Sequence, residues 1–365
     1  MKIFYDHQIF CNQNYGGPSR YFVSLVEKLK DKNLDIKISA PLHINEYLKN
    51  LDKKIIFGKK LFFSKYISNT YSLKNKISLF NSKINKLYLN HFKPDVVHFT
   101  YYDHIISNNS KIKKVVTIYD LIHEKYYKDY GFEENYLPKK KIIDIADKII
   151  CISENTKKDL IEIYKVNEKR IFVTHLSSNE IKNKSLKKLF NFPYILFVGS
   201  RWKYKNFYNL LKMLSEKKLL LKNFKIVLFG GGNLNKYELS LIQNFKLDVK
   251  DFYCLNGNDE TLNSCYKYAS AFIYPSLYEG FGLPILEAFS NNCPVVCSDN
   301  KVFREVAGEA TEYFDPNDTE SMYFMLNKVL ESEDYKKIMI EKGIQQNKKF
   351  SWEKCANLTK KIYQE

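Results

Sequence analysis

Residues 274–298 read YPSLYEGFGLPILEAFSNNCPVVCS. The order of residue types predicts the end of a strand, a glycine loop, a helix opening at Pro284 and a second buried strand through Val295 and Val296. Proline suits the first helical turn because its missing N–H would be unpaired there in any case. Gly280 and Gly282 therefore stand just before a helix N-terminus. Free backbone N–H groups and the positive end of the helix dipole favour an anion at such a place, and glycine lets it approach closely. Glu279 lies on the loop and Glu287 lies eight residues later, about one turn into the helix. A carboxylate accepts two hydrogen bonds side by side, which matches vicinal hydroxyls of a sugar or ribose ring. Two such groups around an anion-binding loop point to a nucleotide-sugar; the competing reading is a strand-to-helix turn carrying surface acids.

The run Glu279-Gly280-Phe281-Gly282-Leu283-Pro284, with Glu287 and Ala288 following, resembles the E-x7-E signature of the retaining glycosyltransferases of GT-B fold in family 4 (glycosyl transferases group 1). The resemblance implies an α/β chain of two Rossmann-like, doubly wound domains facing across a cleft. It implies that Glu279 contacts hydroxyls of the transferred hexose. The backbone of Phe281, Gly282 and Leu283, beside Gly280, would lie along sugar and diphosphate, and Glu287 would hold the ribose.

Length and composition agree with a two-domain globular chain: 365 residues, 45% of them hydrophobic, suffice for two cores of ordinary size. No apolar run approaches the roughly 18 residues of a membrane span, and strand-like KIFYD starts at Lys2 with no signal-peptide core. The expected location is the cytoplasm. Seven scattered cysteines without a C-x-x-C pair indicate neither a disulfide framework nor a zinc site. The net charge of +17 sits in the first half: residues 1–190 carry 35 Lys+Arg against 20 Asp+Glu, or +15, whereas 191–365 carry 23 against 21, or +2. From Lys59 to Lys93 there are eight lysines, no acid, and interleaved aromatics. Such a stretch suits the surface of an anionic bilayer, from which a lipid-linked acceptor would be taken, and adds a peripheral place on the inner face of the membrane to the expected location. Nucleic acid is the competing partner and a solvated lysine-rich surface the plain alternative.

Along the chain, a first strand over residues 2–5 is followed by a glycine loop and a helix through Leu29. The segment Asn14-Tyr15-Gly16-Gly17-Pro18-Ser19-Arg20-Tyr21 resembles the family's first glycine loop, so that Gly16 and Gly17 would face the donor diphosphate. Strands are expected at 35–39, 95–99, 115–118, 148–152 and 170–174. In open α/β sheets ligands gather outside the carboxyl ends of strands, which singles out Tyr101, Tyr119, Asp120 and His123. Thr117-Ile118-Tyr119-Asp120-Leu121-Ile122-His123 resembles a family segment that usually reads His-Asp near sugar and acceptor, with Tyr119 in place of the His. These four residues would be acceptor-side and Asp120 also catalytic; an Asp after a strand is equally an ordinary helix cap.

The polar segment 177–191 is the expected linker, giving domains at 1–185 and 186–349, with 350–365 a helix that by resemblance crosses back to the first domain. Strands at 194–198, 225–229, 252–255 and 271–274 precede the opening motif. Arg201 and Lys205, four apart after the first of them, can clamp a diphosphate, and match the family's Arg and Lys-Asn at this loop. Gly230-Gly231-Gly232 lacks the dinucleotide fingerprint G-x-G-x-x-G. Asn292 stands where a glycine commonly precedes Cys-Pro-Val in the family. No D-x-D occurs, so no metal or other cofactor is expected, and Arg201, Lys205 and helix N-termini would neutralise the leaving diphosphate. The glycine-loop opening is most like bacterial mannosyltransferases of surface polysaccharide and lipopolysaccharide assembly. GDP-mannose is thus the favoured donor, a UDP-hexose or UDP-N-acetylhexosamine its rival, and a glycan or lipid-linked oligosaccharide the acceptor. Outside enzymes, a basic nucleic-acid-binding protein or a non-catalytic glycan-binding relative is the alternative.

Overall fold

The computed structural model describes residues 1–62, 70–103, 109–130, 137–179 and 186–365. Residues 63–69 of the lysine-rich stretch and 180–185 of the expected linker lie outside these, and the expected domain boundary at 185/186 falls at the edge of the latter. The chain forms two compact units, Met1–Leu176 with Ser351–Glu365, and Ser177–Phe350.

The first unit is built on seven parallel strands: β1 (Lys2–Tyr5), β2 (Asp35–His43), β3 (Ile56–Lys60), β4 (Val96–Phe99), β5 (Lys113–Ile118), β6 (Lys148–Cys151) and β7 (Ile171–Val173), in the order β3-β2-β1-β4-β5-β6-β7. The second is built on β8 (Tyr194–Val198), β9 (Lys225–Phe229), β10 (Phe252–Leu255), β11 (Ala271–Tyr274), β12 (Val295–Ser298) and β13 (Glu312–Phe314), in the order β10-β9-β8-β11-β12-β13. Every pairing is parallel. Strands covered by helices on both faces read as unbroken apolar runs rather than alternating ones, and YILFV, AFIY and VVCS are buried at every position.

In both sheets the order reverses beside the first strand, between β1 and β4 and between β8 and β11. At such a switch point the loops leaving the carboxyl ends diverge and open a crevice. In the second unit those loops carry Arg201 and Lys205 on one side and Glu279 on the other.

The helix Tyr71–Phe92 buries a stripe that is polar over its middle turns, at Ser78, Asn81, Ser82 and Asn85, and apolar at its end, at Leu89 and Phe92. Asn85 Nδ2 donates to His7 Nδ1 at 2.9 Å, Ser78 Oγ meets His7 Nε2 at 3.2 Å, and Asn81 exchanges two bonds with the Leu42 backbone at 2.8 and 3.0 Å. Leu79, Phe80 and Leu87 stand outside, the last 73% exposed, among exposed Lys76, Lys83 and Lys86. The helix Trp352–Gln364 belongs to the first unit. There Trp352 packs near Tyr21, and the Tyr363 hydroxyl lies between His98 Nδ1 at 2.6 Å and Tyr5 at 2.8 Å.

Candidate functional site

The helix that the sequence opens at Pro284 runs from Leu283 to Ser290, with Gly282 as its N-cap at φ +95°. A Cβ at Gly282 would lie 3.0 Å from the Phe303 ring, so glycine is required twice over, by backbone angle and by space. Asn292 takes φ +55°. Asparagine is among the side chains that best tolerate the left-handed region, which explains how it replaces a glycine at this turn.

Glu279 is buried, and its Oε1 accepts from Lys205 Nζ at 2.5 Å. The ammonium lies 5.3 Å from the ring centre of Tyr204 and 5.4 Å from that of Tyr274. Tyr274 also hydrogen-bonds Glu279, and burial, reinforced by that carboxylate, pushes the phenol well above its ordinary range. An ion pair in an aromatic box is held in low dielectric and so is strong, yet each charge has given up water to reach it. The backbone ties the two loops as well, Leu277 N–H donating to Tyr204 O at 2.8 Å. Glu287 is buried inside its helix and accepts from Tyr266 O–H at 3.2 Å. Gly280, Phe281 and Leu283 are buried or half-buried beside these groups, with the Phe281 ring edge-on to Phe350.

Arg201 leaves the same β8 loop and is enclosed. Nε donates to Glu238 Oε1 at 2.8 Å, and the terminal nitrogens reach Glu238 Oε2 and the carbonyls of Gly230, Gly231, Gly232 and Asn233 at 3.0–3.2 Å.

In the first unit, Gly16 caps the helix Gly17–Leu29, and a Cβ on it would collide with the Gln13 side chain. Gly17 has open space where a Cβ would be. Tyr101 is half-buried and stacks on Tyr102 at 4.7 Å; burial, reinforced by Asp120, pushes its hydroxyl well above the usual range. Asp120 Oδ1 accepts from Ile122 N–H at 3.2 Å, the helix-start bond of the plainer reading. Tyr119 is buried with its hydroxyl donating to Thr100 O at 3.0 Å, whereas His123 is exposed.

Sequence reasoning passed over Asp6, the residue after β1 at the first switch point. It is wholly buried and accepts from the hydroxyl and N–H of Thr100 and from Gln8 Nε2 at 2.6 Å; burial nevertheless pushes it up to about 6. Gln8 Oε1 in turn accepts from Asp103 N–H at 2.7 Å, so this carboxyl fixes the loop after β4 that bears Tyr101. Position after a strand was the signal that could have found it. Glu238, 37 residues beyond Arg201, had no such signal. Among the described residues no cluster of His, Cys, Asp and Glu is arranged to hold a metal, and no helix is long and apolar enough to cross a membrane.

Two family descriptions divide the chain where its compact units divide. Residues 15–176 match Glycosyltransferase Family 4, and residues 177–346 match Glycosyl transferases group 1. The chain has the GT-B fold of the group 1/family 4 glycosyltransferases. Its relatives include O-antigen chain mannosyltransferase B of Escherichia coli, 31% identical over 60% of this chain and 61% of that protein. Another is O-antigen chain mannosyltransferase RfbU of Salmonella typhimurium, 29% identical over 57% of this chain and 58% of that one. The aligned chain thus spans about three fifths of the length of these relatives. Sucrose-phosphate synthase from Thermosynechococcus elongatus superposes with a TM-score of 0.77 over 100% of this chain and 98% of its own, at 16% identity, a likeness of fold.

Proposed function

We propose that this GT-B chain is a retaining, metal-independent glycosyltransferase that moves a hexose from a nucleoside-diphosphate sugar to a glycan or lipid-linked acceptor in surface polysaccharide assembly. The observation that carries the reading is the buried Lys205–Glu279 pair at the second switch point, with Glu287 in the helix that follows. Lys205 would meet the diphosphate, Glu279 the hexose hydroxyls, Glu287 the ribose, and the backbone of Gly280, Phe281, Gly282 and Leu283 the sugar and phosphates. Gly16 and Gly17 would approach the diphosphate, while Tyr101, Tyr119, Asp120 and His123 would serve the acceptor, Asp120 also in catalysis.

In this reading the bond from sugar C1 to the diphosphate oxygen breaks as the acceptor oxygen bonds C1 on the same face. The acceptor proton passes to the departing phosphate oxygen, whose charge Lys205 stabilises without a metal. GDP-mannose is the favoured donor, supported by the mannosyltransferase names of the relatives, with a UDP-hexose or UDP-N-acetylhexosamine as the rival. Calorimetric titration of the chain with GDP, UDP, ADP and the corresponding sugar nucleotides tests this. One nucleoside diphosphate should bind selectively, the Glu287→Ala variant should lose it, and transfer should persist in EDTA. Absence of nucleotide binding by the folded chain would end the reading; metal-dependent transfer would remove its mechanism.

We further propose that the helix Tyr71–Phe92 lies on an anionic membrane, giving a cytoplasmic protein a peripheral place on its inner face. Apolar side chains outside with lysines among them are what a surface-bound helix requires. Vesicles containing phosphatidylglycerol should sediment the chain, those of phosphatidylcholine should not, and the triple change of Leu79, Phe80 and Leu87 to Gln should release it. Binding that is indifferent to the triple change, or equal binding to duplex nucleic acid, would assign the face to plain charge attraction.

A further inference from the structure

Arg201 is engaged far more deeply than its neighbour Lys205. Its side chain is 1% exposed, it forks onto Glu238 with two nitrogens, and it gathers four successive carbonyls from residues 230–233. Those carbonyls converge because Gly230, Gly231 and Gly232 take φ of +87°, +71° and +76°, a left-handed run that only glycine adopts without strain. The turn packs against the start of the β8 loop: a Cβ on Gly231 would stand 3.0 Å from the guanidinium and 3.1 Å from Gly199 O. Glu238 is held in its turn. It is the third residue of the helix Lys236–Asn244, in a capping box where its N–H donates to Asn235 Oδ1 at 2.9 Å and its Oε2 accepts from Asn235 N–H at 2.8 Å. The β8 loop is therefore fastened on one flank to the glycine turn through Arg201, and on the other to the β11 loop through Tyr204 O and Lys205.

Moving Arg201 onto a ligand would take two nitrogens from the buried Glu238 carboxylate and one from the half-buried Gly230 carbonyl, and unpaired groups in such surroundings are costly, whereas the exposed carbonyls of Gly231 and Asn233 can turn to water. Moving Lys205 separates it from a single carboxylate. We propose, building on the donor-site reading above, that Arg201 and Glu238 are positioning residues: Glu238 holds Arg201, Arg201 locks the turn 230–233 to the β8 loop, and the donor diphosphate is met by Lys205 rather than by Arg201.

The two roles for Arg201 give opposite signs for one substitution. If Arg201 touches the diphosphate, Glu238→Gln releases it and tightens binding. If Arg201 positions the loop, the same change loosens the turn and weakens binding. The full chain and its Glu238→Gln, Arg201→Lys and Gly232→Ala variants are to be titrated with the nucleoside diphosphate that the wild type binds and with the matching monophosphate. Glu238→Gln should weaken the diphosphate at least threefold, and Arg201→Lys should leave the preference for diphosphate over monophosphate intact. Gly232→Ala disturbs the turn without altering any charge and should also weaken binding, which keeps the test open if Glu238→Gln does not fold. Tighter or unchanged diphosphate binding in Glu238→Gln, a lost preference in Arg201→Lys, or unchanged binding in Gly232→Ala overturns the proposal and leaves the donor site standing. A wild type that binds none of the nucleotides overturns both.

Discussion

Lys205 and Glu279 are each other's partner in the structure, and the proposed chemistry asks both to hold something else. The side chains are each 12% exposed, so the pair is sheltered from bulk screening, and releasing it demands that a ligand replace both contacts at once. A sugar nucleotide can do so, because its diphosphate suits the ammonium and its hydroxyls suit the carboxylate. A free nucleoside diphosphate satisfies only the lysine and leaves the buried Glu279 without its countercharge, held by the Tyr274 hydroxyl. Glu279→Gln keeps the shape and removes the charge that competes with phosphate for Lys205. Free nucleoside diphosphate should then bind more tightly, by roughly tenfold for a difference of about 1.4 kcal/mol, while hexose transfer falls because a hydroxyl acceptor is lost. Product-inhibition constants and transfer rates measured on the same preparation check both halves. Weaker product binding in step with slower transfer would mean that the pair stays closed in the complex.

At the scale of elements, legibility followed burial. β8, β9 and β11 could be read from sequence because a parallel strand covered on both faces is an apolar run, and each ends where the run does. β3 was not read: as the edge strand of its sheet, IFGKK is half-buried at Ile56 and exposed over its other four residues, so its lysines masked the pairing. β13 has only three residues and a single buried one, too little for a pattern to emerge. The helix Tyr71–Phe92 escaped for a different reason. Its buried positions recur at helical spacing, but before Leu89 and Phe92 they are Ser78, Asn81, Ser82 and Asn85, which answer polar groups of His7, Ser39 and Leu42. A search for hydrophobic period is blind to a stripe whose complement is hydrogen bonding. The same contrast divides the candidate site. The places of Glu279, Gly282, Glu287 and Lys205 were legible because local spacing marks strand ends and a helix start. Glu238, Tyr274 and Asp6 act through partners supplied by other elements, and such pairings form only when the sheets assemble.

For the molecule as a whole, the last helix is tied to the first unit through a hydroxyl that a single change removes. Its Tyr363 hydroxyl sits in a buried polar chain that runs from Tyr5 through Tyr363 and His98 to Thr117, with bonds of 2.8, 2.6 and 2.8 Å. Burial lowers His98 to about 3, so the imidazole is neutral at ordinary pH and relies on hydrogen bonds rather than charge to be satisfied. Tyr363→Phe removes the shared hydroxyl and leaves groups of His98 and Tyr5 unpaired where water does not reach. The expected loss is about 1–3 kcal/mol, and it should fall on the first unit alone. The chain supplies its own reporters, since it has two tryptophans, buried Trp352 in the first unit and exposed Trp202 in the second. In a Trp202→Phe background, urea unfolding followed by the fluorescence of Trp352 should shift to lower denaturant when Tyr363→Phe is added. In a Trp352→Phe background the transition reported by Trp202 should stay in place. Equal shifts in both would mean that the units melt as one cooperative body, and that the polar chain around Tyr363 stabilises the whole protein rather than the sheet it is buried in.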